Sequence, residues 1–301
     1  LNTAATGYVK KLRVLEAAEA KLNELKNDRG YVNQLNNVLT YIKGAVDAPA
    51  AAADTKAEWA VLSAARAGCD TTAYKTWYAA YADNLAKMLK QNGGTFSTTN
   101  EYARIVLALT ALGQDAKSFA ANGTTYDLVT PLTEKSGSTY KATVPGTTST
   151  AFAIIALDSH PYSVTDSNAV SAMVADLLAK QHASGAWAIN AKYPDDDVDT
   201  TAMVLTALAP HKSEAGVQEA IDKAVSYLAE VQGTSGYGNT NTDAQVVTAL
   251  SALGIDCTKG EFVKGSGNPL TGLLSHQMSS GGFKYAESSV SENQLATEQA
   301  A

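Results

Sequence analysis

Cysteine is almost absent from this chain: Cys69 and Cys257 are the only two in 301 residues. Two thiols cannot supply the framework of a disulfide-stapled domain, and they leave no cysteine-rich zinc site. Each follows a helix of the same type. A Cys69–Cys257 bridge and a pair of inert thiols both stay open, the thiols being the simpler reading. No apolar run approaches the roughly 18 residues that a membrane helix needs. Basic residues are outnumbered 23 to 30, for a net charge of -7. An acidic surface repels phosphate backbones, which argues against nucleic acid as a partner. β-Branched alternation is also missing, so strands are not expected. The chain begins at Leu1 with neither methionine nor signal peptide, which suggests a processed or excised piece of a longer protein. With 45% hydrophobic and 18% charged residues, the composition is that of a globular protein rather than a disordered one.

What the chain does contain is alanine-rich helix. An amphipathic helix is expected over 9–25, ended by Asn27-Asp28-Arg29-Gly30. Residues 1–29 read as the last helix of a preceding module or a connector. The remainder, 30–301, reads as one domain built of repeats. VLALTAL closes at Leu112, AFAIIAL at Leu157, AMVLTAL at Leu208 and VTALSAL at Leu253, so the closing leucines stand 45, 51 and 45 residues apart. A weaker copy surrounds Trp59, and a further one begins after Glu292 and is cut short. Longer, more polar helices are expected between the copies, over 32–46, 72–91, 126–134, 166–181, 214–232 and 268–277. Alanine lets backbones approach closely, so the alanine-rich helices suit an inner ring and the polar ones an outer ring that meets water. Six such pairs close a circle. The expectation is an all-α fold, an (α/α)6 toroid with one extra N-terminal helix; an open solenoid is the alternative.

The junctions repeat as well. Gln181-x3-Gly185-x-Trp187 and Gln277-x3-Gly281-x-Phe283 share one pattern, with near copies at Gln232–Tyr237 and Gln91–Phe96. The glutamine ends an outer helix and can bond to a neighbouring turn. The glycine permits a positive φ, and the aromatic fills the gap between pairs. These are structural roles.

This turn, together with helices ending in Ala-Leu, resembles the squalene cyclase and protein prenyltransferase repeats across residues 30–301. EWAVLSAARAG, EYARIVLALTALG, DVDTTAMVLTALAP and ENQLATEQA are similar to segments of bacterial cell-surface proteins that carry such repeats. The fold is similar to the helical domain of the vitamin B12 carriers transcobalamin and intrinsic factor. Residues 6–25 look like the end of a small helical module found in Gram-positive surface proteins. The resemblance implies a secreted or cell wall-associated bacterial protein, part of a larger multidomain chain.

The candidate chemistry gathers where inner helices begin. Asp195, Asp196, Asp197 and Asp199 crowd the start of one of them. The cyclases carry D-x-D-D-T-A there. Asp197 and Asp199 match the first two acids, but Thr200 replaces the third, so the proton-donating acid is not carried over. Capping of helix N–H groups explains carboxylates at this position, and calcium held by Asp195, Asp197 and Asp199 is a further reading. The prenyltransferase zinc ligands are missing, because Asp256 and Cys257 are adjacent. No catalytic residue, metal ligand or cofactor is assigned. A ring would bring all inner-helix N-termini to one mouth, so Asn100, Glu101, Tyr193, Asp197, Asp199, Tyr237, Asp243 and Glu292 are the expected ligand-binding residues, with Tyr193 and Tyr237 exposed. The expected function is non-catalytic binding of a small amphipathic, corrinoid-like molecule. The alternatives are adhesion to a host protein or glycan, and a degenerate cyclase-like enzyme using Asp197 and Asp199.

Overall fold

The computed structural model describes residues 29–45, 57–144 and 146–301. The helix expected over 9–25 lies outside the described residues; Arg29 and Gly30, on either side of the expected domain boundary, are the first two residues of a helix that runs to Ala45. Among the described residues there are eleven α-helices and two small two-stranded sheets, so the chain is predominantly helical. One set of helices is alanine-rich: α2 (Ala57–Arg66), α4 (Thr99–Ala111), α5 (Thr147–Asp158), α7 (Val198–Leu208), α9 (Thr240–Leu253) and α11 (Gln294–Ala300). The other comprises α1 (Arg29–Ala45), α3 (Thr72–Gln91), α6 (Ala169–Ala179), α8 (Val217–Val231) and α10 (Pro269–Ser275).

The two sets bury their side chains differently, and the sequence accounts for it. In α8, Val217, Ala220, Ile221, Ala224, Val225, Leu228 and Ala229 form one buried stripe, while Gln218, Glu219, Asp222 and Lys223 meet solvent. That spacing of three and four is the mark of a helix with one packed face. In α7, seven of eleven residues are buried, among them Thr200, Thr201, Ala202, Val204, Leu205, Ala207 and Leu208. Such a helix is covered on more than one side.

Packing follows chain order and then returns to its start. α2 packs on α4, α4 on α5, α5 on α7, α7 on α9, α9 on α11, and α11 on α2. Of the second set, α6 packs on α5, α8 on α7, α10 on α9, and α1 on both α2 and α11. The repeated turns tie helices of this second set together. After α6, the Gln181 Nε2 donates to the Gly185 carbonyl at 2.9 Å and to the Ala220 carbonyl of α8 at 2.8 Å. After α10, Gln277 Nε2 does the same to Gly281 at 3.2 Å and to Gln34 of α1 at 2.9 Å. Gly185 has φ +93° and lies so close to α8 that a Cβ would stand 2.4 Å from the Lys223 carbonyl oxygen. Gly281 has φ +96°, and its Cβ would stand 2.4 Å from the Asn37 oxygen of α1. The contacts of α1 with the turn after α10 thus match those of α8 with the turn after α6. Trp187 and Phe283 are fully enclosed at these junctions, and Trp187 Nε1 donates to the Leu177 carbonyl at 2.7 Å.

One expected element is corrected. No helix forms over 126–134. β1 (Phe119–Ala121) pairs antiparallel with β2 (Thr124–Tyr126), a 3-10 turn covers Thr130–Thr133, and β3 (Lys135–Ser136) pairs with β4 (Thr139–Tyr140). The reason is local. Asn122 and Gly123 adopt positive φ in the first hairpin turn, as does Gly137 in the second, and Asp127 folds the chain after β2 by accepting from the Val129 and Thr130 amides at 3.0 and 2.8 Å. An Asp side chain bonded to the backbone two and three residues on competes with helix. Cys69 and Cys257 are both free thiols; burial pushes the Cys257 thiol up to about 11.

Candidate functional site

Four of the alanine-rich helices, α4, α7, α9 and α11, start in a common way. Thr98 and Glu101 form a reciprocal capping box on α4. Asp197, Asn239 and Asn293 cap α7, α9 and α11, accepting from the Thr200, Thr242 and Ala296 amides at 2.7, 3.0 and 2.9 Å. The fourth residue after each cap then accepts the amide of the aromatic in the preceding turn. Tyr102 accepts from Phe96 at 3.0 Å, Thr201 from Trp187 at 3.0 Å, Asp243 from Tyr237 at 2.8 Å and Thr297 from Phe283 at 2.8 Å. The turn motif is thus locked to the helix that follows it.

The loops also reach across to a neighbouring helix. The Ile189 carbonyl accepts the Thr147 amide at the start of α5, and the Tyr285 carbonyl accepts the Thr240 amide at the start of α9, at 3.0 and 2.8 Å. These bonds satisfy first-turn donors that have no partner within their own helices.

The eight expected binding residues lie at this end but do not converge on one point. Asp197, Asp199, Tyr237 and Asp243 gather between α7 and α9. Burial raises the Asp199 carboxyl; a hydrogen bond from Thr242 opposes this, and the Asp197 charge adds to it. Asp243 is fully buried, and burial pushes its carboxyl up to about 7 against the Tyr237 amide bond, with Asp199 adding repulsion. Tyr237 is half-buried rather than exposed, and its hydroxyl donates to the Leu228 carbonyl at 2.7 Å. Asn100 and Glu101 belong to a second group on α4. Glu292 stands apart, accepting from the Ser280 hydroxyl at 2.6 Å, which lowers its pKa. Tyr193 is 53% exposed.

The aspartates of 195–199 do not face a common centre. Asp195 is exposed, Asp196 meets His182 Nδ1 at 2.6 Å, Asp197 caps α7, and Asp199 turns to Thr242. Among the described residues, no three His, Cys, Asp or Glu side chains gather as a metal site would require.

Sequence reasoning missed Glu58, the second residue of α2. It is 1% exposed and accepts from the Tyr81 hydroxyl of α3 at 3.1 Å. Burial pushes its carboxyl up to about 7; its own backbone amide, Arg104 and Tyr81 pull it down, and Glu101 raises it. The only signal was a glutamate set beside Trp59 in the weakest copy of the repeat. Trp59 itself meets Phe152 of α5, with ring centroids 5.5 Å apart, so aromatic side chains pack against each other from two alanine-rich helices.

Two open hollows lie elsewhere. One of about 330 Å³ is bordered by Lys212, Ile221, Asp222, Leu253 and Glu261, and one of about 370 Å³ by Asp83, Lys87, Phe119 and Asn122. Neither includes any of the eight expected residues. Among the described residues, no helix is long and apolar enough to cross a membrane. Protein-family models, curated proteins and solved structures gave no match to the chain.

Proposed function

We propose that this chain is a non-catalytic binding module whose working surface is the rim where outer helices end and alanine-rich helices begin. Its architecture is an (α/α)6 toroid in which the third outer helix is replaced by two hairpins. The return of α11 onto α2, and of the Gln277 turn onto α1, supports closure of the ring. The resemblance to cyclase-type repeats of bacterial surface proteins supports a secreted or wall-associated location.

The observation that carries the reading is the exposure of large apolar side chains on this rim. Tyr193, Tyr285, Val290 and Leu295 all stand open there, and exposed apolar side chains grouped at one end of a molecule mark interaction sites. Because these side chains stand exposed on loops rather than enclosed, a surface partner is favoured over a deeply held corrinoid-like molecule. A small amphipathic ligand is the second reading, favoured by the combination of these apolar side chains with Asp197 and Asp199 nearby. The enzymatic reading has less support, since Asp243 is fully enclosed.

Native mass spectrometry tests the proposal with a panel of corrinoids, isoprenoid lipids, glycans and peptides. The expected result is a stoichiometric complex that is lost when Tyr193 and Tyr285 are changed to alanine. Turnover of any panel compound, abolished by Asp199→Asn in a folded protein, would replace binding with catalysis.

A further inference from the structure

The rim has a chemical character beyond its exposure. Tyr193 is 53% exposed in the loop before α7; Tyr285 is 47% and Val290 92% exposed in the loop before α11; Leu295 is 48% exposed on α11. The loop before α11 lies over the start of α9, where Ala286 pairs with Asn239. The loop before α7 lies over the start of α5, where the Ile189 carbonyl takes the Thr147 amide. Since α5, α7, α9 and α11 pack in that order, the apolar groups are spread along one arc over the starts of four consecutive alanine-rich helices. Among the described residues, the other exposed large apolar side chains are Leu35, Val144, Val231 and Val263.

Charge is concentrated on the same arc. Segments 187–199 and 283–295 together hold six carboxylates, Asp195, Asp196, Asp197, Asp199, Glu287 and Glu292, against two lysines, Lys192 and Lys284. Fewer than a tenth of the residues thus carry more than half of the chain's net charge of -7. Lys284 is committed to Glu287 at 3.0 Å, and Lys192 lies over the Tyr193 ring, 5.2 Å from its centroid. Asp195 is exposed. A surface that is apolar and negative at once selects against several occupants. A second copy of the same arc is repelled by like charge, and so is an anionic membrane surface. A neutral glycan leaves the carboxylates without cationic partners.

Building on the binding-module reading, we infer that the arc from Tyr193 to Leu295 docks a basic polypeptide segment that carries apolar side chains. Its lysines or arginines face the acids, and its apolar groups cover the two tyrosines, Val290 and Leu295. Electrostatic complementarity sets the encounter and the specificity, and the apolar contacts hold the complex.

The test uses three labelled synthetic peptides and fluorescence anisotropy with the whole chain. One alternates lysine with leucine, one has glutamate in place of lysine, and one has serine in place of leucine. The lysine–leucine peptide is expected to bind at least about tenfold more tightly than either control, and to weaken about tenfold between roughly 50 and 200 mM salt. Combined Tyr193→Ala and Tyr285→Ala should weaken it about tenfold, a typical effect for aromatic anchors. Combined Asp195→Asn and Glu292→Gln should flatten its salt dependence, while far-UV circular dichroism and the melting midpoint stay close to those of the unchanged chain. Equal binding by the lysine–serine peptide would reduce the effect to bulk charge and overturn the inference. So would an absence of binding, or binding that neither variant alters. Should the glutamate–leucine peptide or a neutral compound bind instead and be lost in the tyrosine variant, the rim stands as a binding surface and the basic partner falls.

Discussion

Replacing Asp243 by asparagine should make the protein more stable at neutral and alkaline pH. Asp243 occupies the position that Thr201 and Thr297 occupy in the neighbouring repeats. Each threonine hydroxyl accepts an aromatic amide and donates to the carbonyl of its helix cap, at 2.7 Å for Asp197 and 2.8 Å for Asn293. An ionised carboxylate can only accept. Asp243 Oδ1 takes the Tyr237 amide, and Oδ2 is enclosed without a partner. Burial therefore favours the protonated form, and the carboxyl moves from 3.8 to about 7. A carboxyl raised in the folded state holds a proton that the unfolded chain has already lost. Stability thus falls as pH rises from the unfolded to the folded value, by about 1.4 kcal/mol per pH unit per group. From 3.8 to about 7 the loss is at most about 4 kcal/mol, and it is complete above that range. For 301 residues this corresponds to a shift of up to about 6 °C in melting midpoint, at roughly 2.1 cal/mol/K of unfolding entropy per residue. Asparagine keeps an acceptor for Tyr237, adds a donor and never ionises. Urea unfolding between pH 5 and 8, followed by tryptophan fluorescence, should show a shallower decline for Asp243→Asn and a crossover to greater stability near neutrality. Identical pH slopes in the two proteins, or a variant less stable at pH 8, would refute this account. Glu58, also raised to about 7, leaves a residual slope in both.

Gly281→Ala places a Cβ 2.4 Å from the Asn37 oxygen at φ +96°; it should cost about 2–4 kcal/mol in urea unfolding. Gly238→Ala, also at positive φ but with nothing within 4 Å, should cost only about 1 kcal/mol; equal costs would deny a packed junction between α10 and α1. Gln277→Ala removes the bonds to Gly281 and Gln34 and should destabilise by about 1–3 kcal/mol, and Gln181→Ala should do the same at the equivalent turn; a neutral Gln277 variant beside a damaging Gln181 one would mean that α1 is not held there. His211 bridges Asp158 at 2.8 Å and Glu214 at 2.7 Å. Burial lowers its pKa, but the two carboxylates outweigh this and raise it. Its contribution is therefore fully present below the ordinary histidine value and is lost as pH rises through the raised one. His211→Gln should be clearly destabilising at pH 5.5 and much less so at pH 9; a pH-independent cost would remove the charged bridge.

Much of the helical framework was legible because its signals are local. The alternation of alanine-rich and one-faced helices follows from residue spacing within each segment, and 72–91 was read with the bounds found for α3. The turn motif was legible for the same reason, since Gln181, Gly185 and Trp187 lie within seven residues. The segment 126–134 misled because its apolar residues fit a short helix as well as a turn, and backbone bonds from the Asp127 side chain decided between them. At the site, sequence reading set the eight residues around the starts of alanine-rich helices. It did not separate the half-buried Tyr237 from the exposed Tyr193, since each differs in what another element covers.

Periodicity, caps and turn chemistry thus sufficed for most of the described helices and for the turns that follow them, because those depend on neighbours a few positions away. Contacts between distant segments decided the rest. The bond from Gln277 to Gln34 spans 243 positions and ties the turn after α10 to α1. The proton on Asp243 depends on its enclosure beside the Tyr237 turn and on Asp199 from the preceding repeat. Burial and the field of other charges belong to the assembled molecule, and no stretch of sequence carries them alone.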